Sequence, residues 1–115
     1  MPTYTLPWPP SVNGYWRSFR GRPIISKRGR EFRNDAIAAV LEQGKQRLAG
    51  RLSVVFVAHP PDRRTRDLDN HLKAPQDALT AAGVWSDDSQ IDDLRIVRGE
   101  CVKGGKMVVE IREIT

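Results

Sequence analysis

The stretch from Leu52 to Ala58 constrains the fold most, because it is nearly all apolar and rich in valine. Such a run is typical of a central strand that is covered on both faces. Gly50 precedes it, and His59-Pro60-Pro61 ends it, since prolines lack the N–H group that a strand ladder requires. We therefore predict a central strand here. Its carboxyl end delivers the chain to a location where functional sites are common.

A helix is predicted before this strand, from about Lys27 to Leu48. Ser26 is a suitable N-cap residue, and Gly44 is expected to weaken the last turns. The apolar residues recur at helical spacing, which indicates one buried face: Phe32, Ala36, Ile37, Val40, Leu41 and Leu48.

A second helix is predicted after the strand, from Leu68 or Asp69 to Ala82, with Gly83 at the C′ position. Pro75 complicates its start, because proline removes a backbone donor and crowds the preceding turn. Either the first turn is irregular or the regular helix begins near Pro75.

Shorter strands complete the pattern, at Tyr4–Leu6, Pro23–Ile25, Leu94–Val102 and Lys106–Ile114. Between the first two, residues 11–21 read as a loop or loose hairpin. Lys103-Gly104-Gly105 between the last two is a hairpin signal. The predicted fold class is α+β, a small mixed β-sheet packed with two main helices. At 115 residues the chain has the length of one domain, residues 1–115.

The charge of the chain favours a polyanionic partner. The formal net charge is +5, and the pI is about 9.9. Many of the basic residues fall in one early segment: Arg17, Arg20, Arg22, Lys27, Arg28, Arg30 and Arg33. Tyr15, Trp16 and Phe19 lie among them, and such aromatics either stack on unpaired bases or cap the core.

Cysteine content and hydropathy bear on location. The single cysteine, Cys101, excludes an intrachain disulfide and favours a reducing compartment. No apolar run approaches the length of a membrane span, and the first residues lack a signal-peptide pattern. We expect a cytoplasmic protein.

The segment PDRRTRDLDN places two acids directly behind three arginines. On an extended segment the side chains of Asp67 and Asp69 share a face, so that both carboxylates reach one cation. Arg63, Arg64 and Arg66 are suited to phosphate. A metal-dependent nuclease needs both kinds of ligand. The alternative is that each aspartate is an ordinary cap or loop residue.

Three further residues extend this site. Asp87 and Asp88 supply a third carboxylate from a distant turn, although the pair alone is more often a simple turn. Lys73 follows Asp69 by four residues; the spacing fits either an i, i+4 ion pair or a cation beside a scissile phosphate. His59 and His71 have no partners at zinc-like spacing.

These motifs, in their order, resemble the RusA family of Holliday junction resolvases from phages and prophages. The segments that carry the resemblance are TLPWPPSVNGYWR, PDRRTRDLDNHLKAPQDALTAAGVWSDDSQIDD and VKGGKMVVEI. They lie near the start, in the middle and near the end, so the resemblance spans nearly the whole chain. At His71 and Pro75 the sequence departs from a known member, which leaves the helix geometry near Pro75 open.

The resemblance implies a homodimer that binds four-way junction DNA and makes paired symmetric nicks with Mg²⁺ or Mn²⁺, without a nucleotide cofactor or a membrane. It implies that Asp67, Asp69 and Asp88 are catalytic metal ligands and that Lys73 is essential; Asp87 stays a neighbouring candidate. The predicted DNA contacts are Arg63, Arg64, Arg66, Lys27, Arg28 and Arg30. Two alternatives are a nuclease acting on other branched DNA and a non-catalytic DNA-binding module.

Overall fold

A four-stranded mixed sheet forms the centre of the molecule in the computed structural model, which describes residues 2–114. The strands in chain order are β1 (Thr3–Pro7), β2 (Trp16–Phe19), β3 (Arg22–Ile25), β4 (Arg51–His59), β5 (Ile91–Arg98) and β6 (Lys106–Ile114). The main sheet has the order β1-β6-β4-β5, and β2 and β3 form a separate hairpin. β4 is parallel to β5 and antiparallel to β6, and β1 is antiparallel to β6. The predicted α+β class with a mixed sheet is confirmed.

Three α-helices accompany the sheet: α1 (Val12–Tyr15), α2 (Lys27–Gln43) and α3 (Lys73–Ala82). Two short 3₁₀ helices, Leu68–His71 and Asp88–Gln90, precede α3 and β5 respectively. None of the helices in the described part of the chain is long and apolar enough to cross a membrane.

The predicted central strand is confirmed as β4, but only one of its faces is fully covered. Leu52, Val54, Phe56 and Ala58 point into the core and are buried. On the opposite face Val55 and Val57 are only half-buried. The prediction that both faces of this strand are covered is therefore only half right, since the long helices lie on one side of this sheet.

The predicted pairing of the last two strands is wrong. β6 has the predicted bounds and buries Met107, Val109 and Ile111, as its alternation indicated. However, β6 pairs with β1 and β4 and not with β5, which ends at Arg98 instead of continuing to Val102. The glycine turn reverses the chain, but the sheet order inserts β6 between two earlier strands.

The helix α2 is shorter than predicted. The Ser26 hydroxyl accepts a hydrogen bond from the Gly29 N–H at 2.9 Å, so the N-cap is confirmed. The helix ends at Gln43 because Gly44 takes a left-handed conformation, with φ of 90°. Leu48 lies beyond the helix yet is buried, whereas Leu41 is 58% exposed.

The region around Pro75 is irregular in the way that proline demands. The 3₁₀ turn ends at His71, and the regular helix α3 begins at Lys73, so that Pro75 lies within its first turn. Backbone N–H groups in the first turn have no partner inside the helix, and proline is tolerated there. Both alternatives therefore hold in part, because the segment starts with an irregular 3₁₀ turn and the regular helix begins near Pro75.

Residues 11–21, predicted as a loop or loose hairpin, contain α1 and β2. Tyr15 is fully buried, Trp16 is half-buried and Phe19 is 48% exposed. The guanidinium carbons of Arg17 and Arg20 lie 5.7 and 5.3 Å from the centre of the Phe19 ring. Tyr15 thus belongs to the core, and Phe19 is the aromatic that remains available on the surface.

Candidate nuclease site

The candidate site lies where β4 and β5 end and α3 begins. β4 leads at its carboxyl end into the loop of residues 60–67, as predicted. The backbone carbonyl of Arg66 accepts a hydrogen bond from the Arg98 guanidinium at 2.9 Å, so this loop lies against the carboxyl end of β5. The acids of the site are therefore held beside the last residue of that strand.

Asp67 and Asp69 are both exposed, but not as alternate residues of one strand. Asp67 is extended, with φ of −86° and ψ of 127°, whereas Asp69 lies in the first turn of the 3₁₀ helix. Asp67 occupies the N-cap position, yet its side chain makes no capping hydrogen bond. The interpretation of Asp67 as a structural cap is therefore not supported, and its carboxylate oxygens remain available to a ligand.

Lys73 is exposed at the first position of α3. The helix is interrupted at Leu72, so Lys73 and Asp69 do not lie on one continuous helix face. Among residues 2–114 no ion pair joins them: the salt bridges of this region link Asp62 to Arg64 and Arg66. The ordinary i, i+4 ion pair is thus absent from the described structure.

Asp62 organises the arginine loop, and the sequence analysis did not identify it. Its carboxylate accepts hydrogen bonds from the Arg66 guanidinium at 2.7 Å and from the Arg64 N–H at 3.0 Å. The hydrogen bond from Arg66 and that from the Arg64 backbone lower the pKa of Asp62 to about 2. The sequence carried only a weak signal for this contact, because i, i+4 spacing brings side chains together on a helix and residues 60–67 form a loop.

The three arginines of this loop differ in exposure. The side chain of Arg64 is 83% exposed, and Arg63 is exposed too. Arg66 is only 16% exposed, because it binds Asp62 and lies 5.8 Å from the centre of the Trp8 ring. Together with Arg98 they line a cavity of about 300 Å³. Arg66 shapes this basic surface, while Arg63 and Arg64 face outward.

His71, two residues after Asp69, packs against Trp8. The His71 ring is buried, lies 4.8 Å from the Trp8 ring, and its Nδ1 is 3.2 Å from the carbonyl of Pro9. Burial lowers the pKa of His71, and the nearby Arg66 charge adds to this. His71 is thus a packed residue between Asp69 and Lys73 in the sequence, not an exposed ligand.

The basic start of α2 belongs to a helix that lies beside α3. Arg33 of α2 is 3.6 Å from Asp77 of α3, so the N-terminal halves of the two helices are neighbours. Arg28 is exposed, Lys27 lies 4.0 Å from Glu31, and the Arg30 guanidinium donates to the carbonyl of Ile25 at 3.1 Å. These cations therefore lie at the start of the helix that packs beside α3.

Asp87 and Asp88 lie at the other end of α3. The Asp87 carboxylate accepts from the Ser89 N–H at 3.3 Å, and the Gln90 side chain accepts from the Asp87 N–H at 3.2 Å, which is a capping box. Hydrogen bonds from Ser89 lower the pKa of Asp87. Asp87 thus has a structural role, and the exposed Asp88 is the acid left available for a ligand. The sequence D-D-S-Q carried this signal.

The three candidate metal ligands do not meet within one chain. Asp69 and Asp88 flank α3, whose 10 residues span about 15 Å at a rise of about 1.5 Å per residue. Within residues 2–114, no group of three or more His, Cys, Asp or Glu side chains is arranged to hold a metal ion. The structure brings Asp67 and Asp69 to the arginine loop but leaves Asp88 apart.

A small α+β domain with exposed carboxylates beside an arginine-rich loop has the features of a nuclease that acts on DNA. Comparison with known proteins agrees with this class. The family model described as endodeoxyribonuclease RusA matches residues 7–112. The chain belongs to the RusA endodeoxyribonuclease family.

Three relatives illustrate the similarity, each named crossover junction endodeoxyribonuclease RusA. The protein of Shigella sonnei is 46% identical over 120 residues. Those of Escherichia coli K12 and Enterobacteria phage 82 are 45% and 46% identical. Each match covers 99% of this chain and 98% of the relative. The family resemblance predicted from the motifs is confirmed.

Proposed function

We propose that this chain is an endodeoxyribonuclease that resolves Holliday junctions by paired symmetric nicks. The match to RusA proteins across 99% of the chain carries this proposal. The exposed acids Asp67 and Asp69 beside the outward-facing Arg63 and Arg64 support it, since a junction nuclease must hold both a cation and phosphates. Because its proposed substrate is DNA, we expect the protein to act in the cytoplasm, at the nucleoid.

We propose Mg²⁺ as the cofactor, with Mn²⁺ able to replace it, held by Asp67, Asp69 and Asp88. Carboxylate oxygens are the hard ligands that Mg²⁺ prefers, and these three side chains are exposed. A bound metal ion supplies an activated water and neutralises charge on the phosphate. Lys73 adds a positive charge for the same phosphate.

The proposed enzyme is a homodimer, because one chain does not bring its three acids together. A four-way junction has two-fold symmetry, and two sites related by the same symmetry match it. In this arrangement Asp88 of one copy joins Asp67 and Asp69 of the other. Sedimentation of the purified protein tests the dimer, and a monomer at the concentrations that cleave DNA would contradict it.

The basic residues have separate parts in the proposal. Arg63 and Arg64 contact the DNA backbone at the site, and Arg66 contributes charge while holding the loop. Lys27, Arg28 and Arg30 at the start of α2 position a neighbouring arm of the junction. Phosphate contacts of this kind fix the orientation of the DNA without reading its sequence.

The decisive experiment is cleavage of a synthetic four-way junction in Mg²⁺. Wild-type protein is expected to make paired symmetric nicks, and Asp88→Asn is expected to make none. Asp87→Asn is the matched control, because asparagine preserves an N-cap and is expected to retain activity. Equal activity of all three proteins would show that Asp88 does not belong to the active site.

The same gel separates the two alternative functions. Faster cutting of flaps or forks than of junctions would indicate a nuclease for other branched DNA. Tight binding without cutting, in Mg²⁺ and in Mn²⁺, would indicate a DNA-binding module. Asp67→Asn is expected to bind the junction at least as tightly as wild type, since it removes a negative charge from a basic surface.

A further inference from the structure

The tip of the hairpin formed by β2 and β3 is the feature from which we draw a further inference, which rests on the proposed function. The two strands form a sheet of their own, and residues 17–23 at the tip are all exposed. Phe19 lies among them and is 48% exposed. A single exposed apolar side chain is common on protein surfaces. Its surroundings therefore decide whether Phe19 has a function.

Three arginines surround the Phe19 ring. The guanidinium carbons of Arg17 and Arg20 lie 5.7 and 5.3 Å from its centre, and Arg22 is paired with Phe19 across the hairpin. None of the salt bridges between described residues involves these three arginines. The ring thus stands among cations that no described carboxylate neutralises. Proteins that bind unpaired nucleotides combine the same two groups, an aromatic ring for the base and cations for the phosphates.

The positive charge of the hairpin continues into α2. Residues 1–30 contain six basic side chains and no acidic one: Arg17, Arg20, Arg22, Lys27, Arg28 and Arg30. The Ser26 N–H donates to the carbonyl of Tyr15 at 2.9 Å, and the Ser26 hydroxyl donates to the carbonyl of Gly14 at 2.6 Å. The N-cap of α2 is thereby fixed to the residues that lead into β2. The hairpin is therefore held beside the cations that we propose as DNA contacts, and a polyanion complements both.

The turn at the tip contains an arginine in an unusual conformation. Arg20 and Gly21 connect the strands with φ of 51° and 74°, and among the described residues Arg20 is the only one other than glycine with a positive φ. Two-residue turns of this kind favour asparagine or aspartate followed by glycine. Backbone strain of this sort is concentrated at functional positions. The tip thus carries a positive charge at a position where turn chemistry favours another residue.

We propose that Phe19 stacks on an exposed base at the branch point of the DNA, while Arg17, Arg20 and Arg22 bind the phosphates beside it. Inside a linear duplex each base pair is stacked on both sides, so that no base face is open to Phe19. At a branch point the arms diverge and base faces become accessible. The backbones of the arms also converge there, which concentrates negative charge. The hairpin therefore recognises the branch and positions the DNA for the proposed metal site.

Binding in the absence of divalent metal tests the stacking, because it does not depend on cleavage. Fluorescence anisotropy compares a four-way junction with a linear duplex that has the sequence of two of its arms. Phe19→Leu keeps an apolar side chain but loses the ring. It is expected to bind the junction about 5- to 100-fold more weakly and the duplex as wild type does. Phe19→Tyr is expected to bind both like wild type. A loss of equal size on both DNAs, or no loss, would overturn the proposal.

A control variant and a cross-link separate stacking from a structural effect. Leu41→Ala truncates another exposed apolar side chain, on α2, and is expected to bind both DNAs like wild type. With 5-iododeoxyuridine at the branch point of the junction, ultraviolet light is expected to cross-link the wild-type protein at Phe19, which peptide mapping identifies. The same base in the middle of an arm is expected to give no cross-link at Phe19. Absence of the cross-link from the branch point would overturn the stacking.

Arg20→Asn tests the role of the turn. Asparagine is favoured at this position, so the variant is expected to melt at least as high as wild type. It is nevertheless expected to bind the junction more weakly, with a salt dependence reduced by about one counterion. An unchanged salt dependence would overturn the phosphate contact of Arg20. Wild-type protein that fails to cut junctions would instead refute the proposed function, whereas normal cutting with unchanged binding by Phe19→Leu would refute only the stacking.

Discussion

The hydroxyl of Tyr15 donates a hydrogen bond to the carboxylate of Asp77, which lies 62 residues further along the chain. Arg33 of α2 lies 3.6 Å from the same carboxylate oxygen. One side chain each from α1, α2 and α3 therefore meets at this point. The contact fixes the start of α3, and with it Lys73, relative to the basic start of α2.

Tyr15→Phe is expected to destabilise the protein by about 1–2 kcal/mol, because it removes a partly buried hydrogen bond to a charged group. Burial and the contact with Asp77 raise the pKa of Tyr15, which shows that the hydroxyl stays protonated. Urea unfolding of Tyr15→Phe, Asp77→Asn and the double variant measures the effect. Strictly additive losses would show that the two residues are not coupled.

Gly29→Ala is expected to destabilise the protein by about 1–2 kcal/mol even though alanine favours helices. A Cβ atom at Gly29 would lie 2.6 Å from the carbonyl oxygen of Tyr15, so α1 must move away. Asn34→Ala, at an exposed position of the same helix, is the control and is expected to be neutral or mildly stabilising. Thermal melts of both variants compare them; equal melting temperatures would argue against the close approach.

The contribution of Asp62 to stability is expected to vanish in acid. Its folded pKa, about 2, lies below the ordinary 3.8, so the folded state favours the charged form. The stabilisation is therefore complete above about pH 4 and is lost as the pH falls towards 2. Asp62→Asn should lower the melting temperature at pH 6 but hardly at pH 2. Asp35→Asn on α2 controls for the change of charge, and a constant difference across this pH range would contradict the assignment.

Arg63→Ala and Arg64→Ala are expected to weaken junction binding and to reduce its salt dependence by about one counterion each. Fluorescence anisotropy over a range of salt concentrations measures this. Arg112→Ala, exposed on the sheet, is the control. Arg66→Ala should in addition lower the melting temperature, because Arg66 binds Asp62. If Arg63→Ala and Arg64→Ala show the same salt dependence of binding as wild type, these two arginines do not contact the DNA.

Local sequence patterns predicted the helices and strands of this fold better than they predicted which strands pair with each other. The bounds of β6, the Ser26 cap and the position of β4 followed from periodicity and capping chemistry, which act over a few residues. The choice of β1 and β4 as neighbours of β6 depends on contacts across the whole chain. The sequence predicts that Gly44 weakens the helix, but not that the helix ends there. The reason is that Leu48, which is buried, continues the helical spacing of apolar residues.

The candidate site shows the same division. The sequence predicted that Asp67 and Asp69 accompany an arginine loop, since neighbours in the chain stay neighbours in space. It did not predict that α3 separates these two acids from Asp88. The distance between residues at the two ends of a helix depends on the length of that helix and on the direction in which the chain continues after it. Nor did local pattern reveal Trp8, whose contacts with Arg66 and His71 join residues more than fifty positions apart.

The order of strands in the sheet affects how the protein folds while it is synthesised on the ribosome. β1 is made before the other described strands, but its sheet partner is β6, which is made after them. Until residues 106–114 emerge, β1 has no partner and one side of β4 is open. Such unpaired strands are prone to aggregate. The sheet can therefore close only after residues 106–114 have been made.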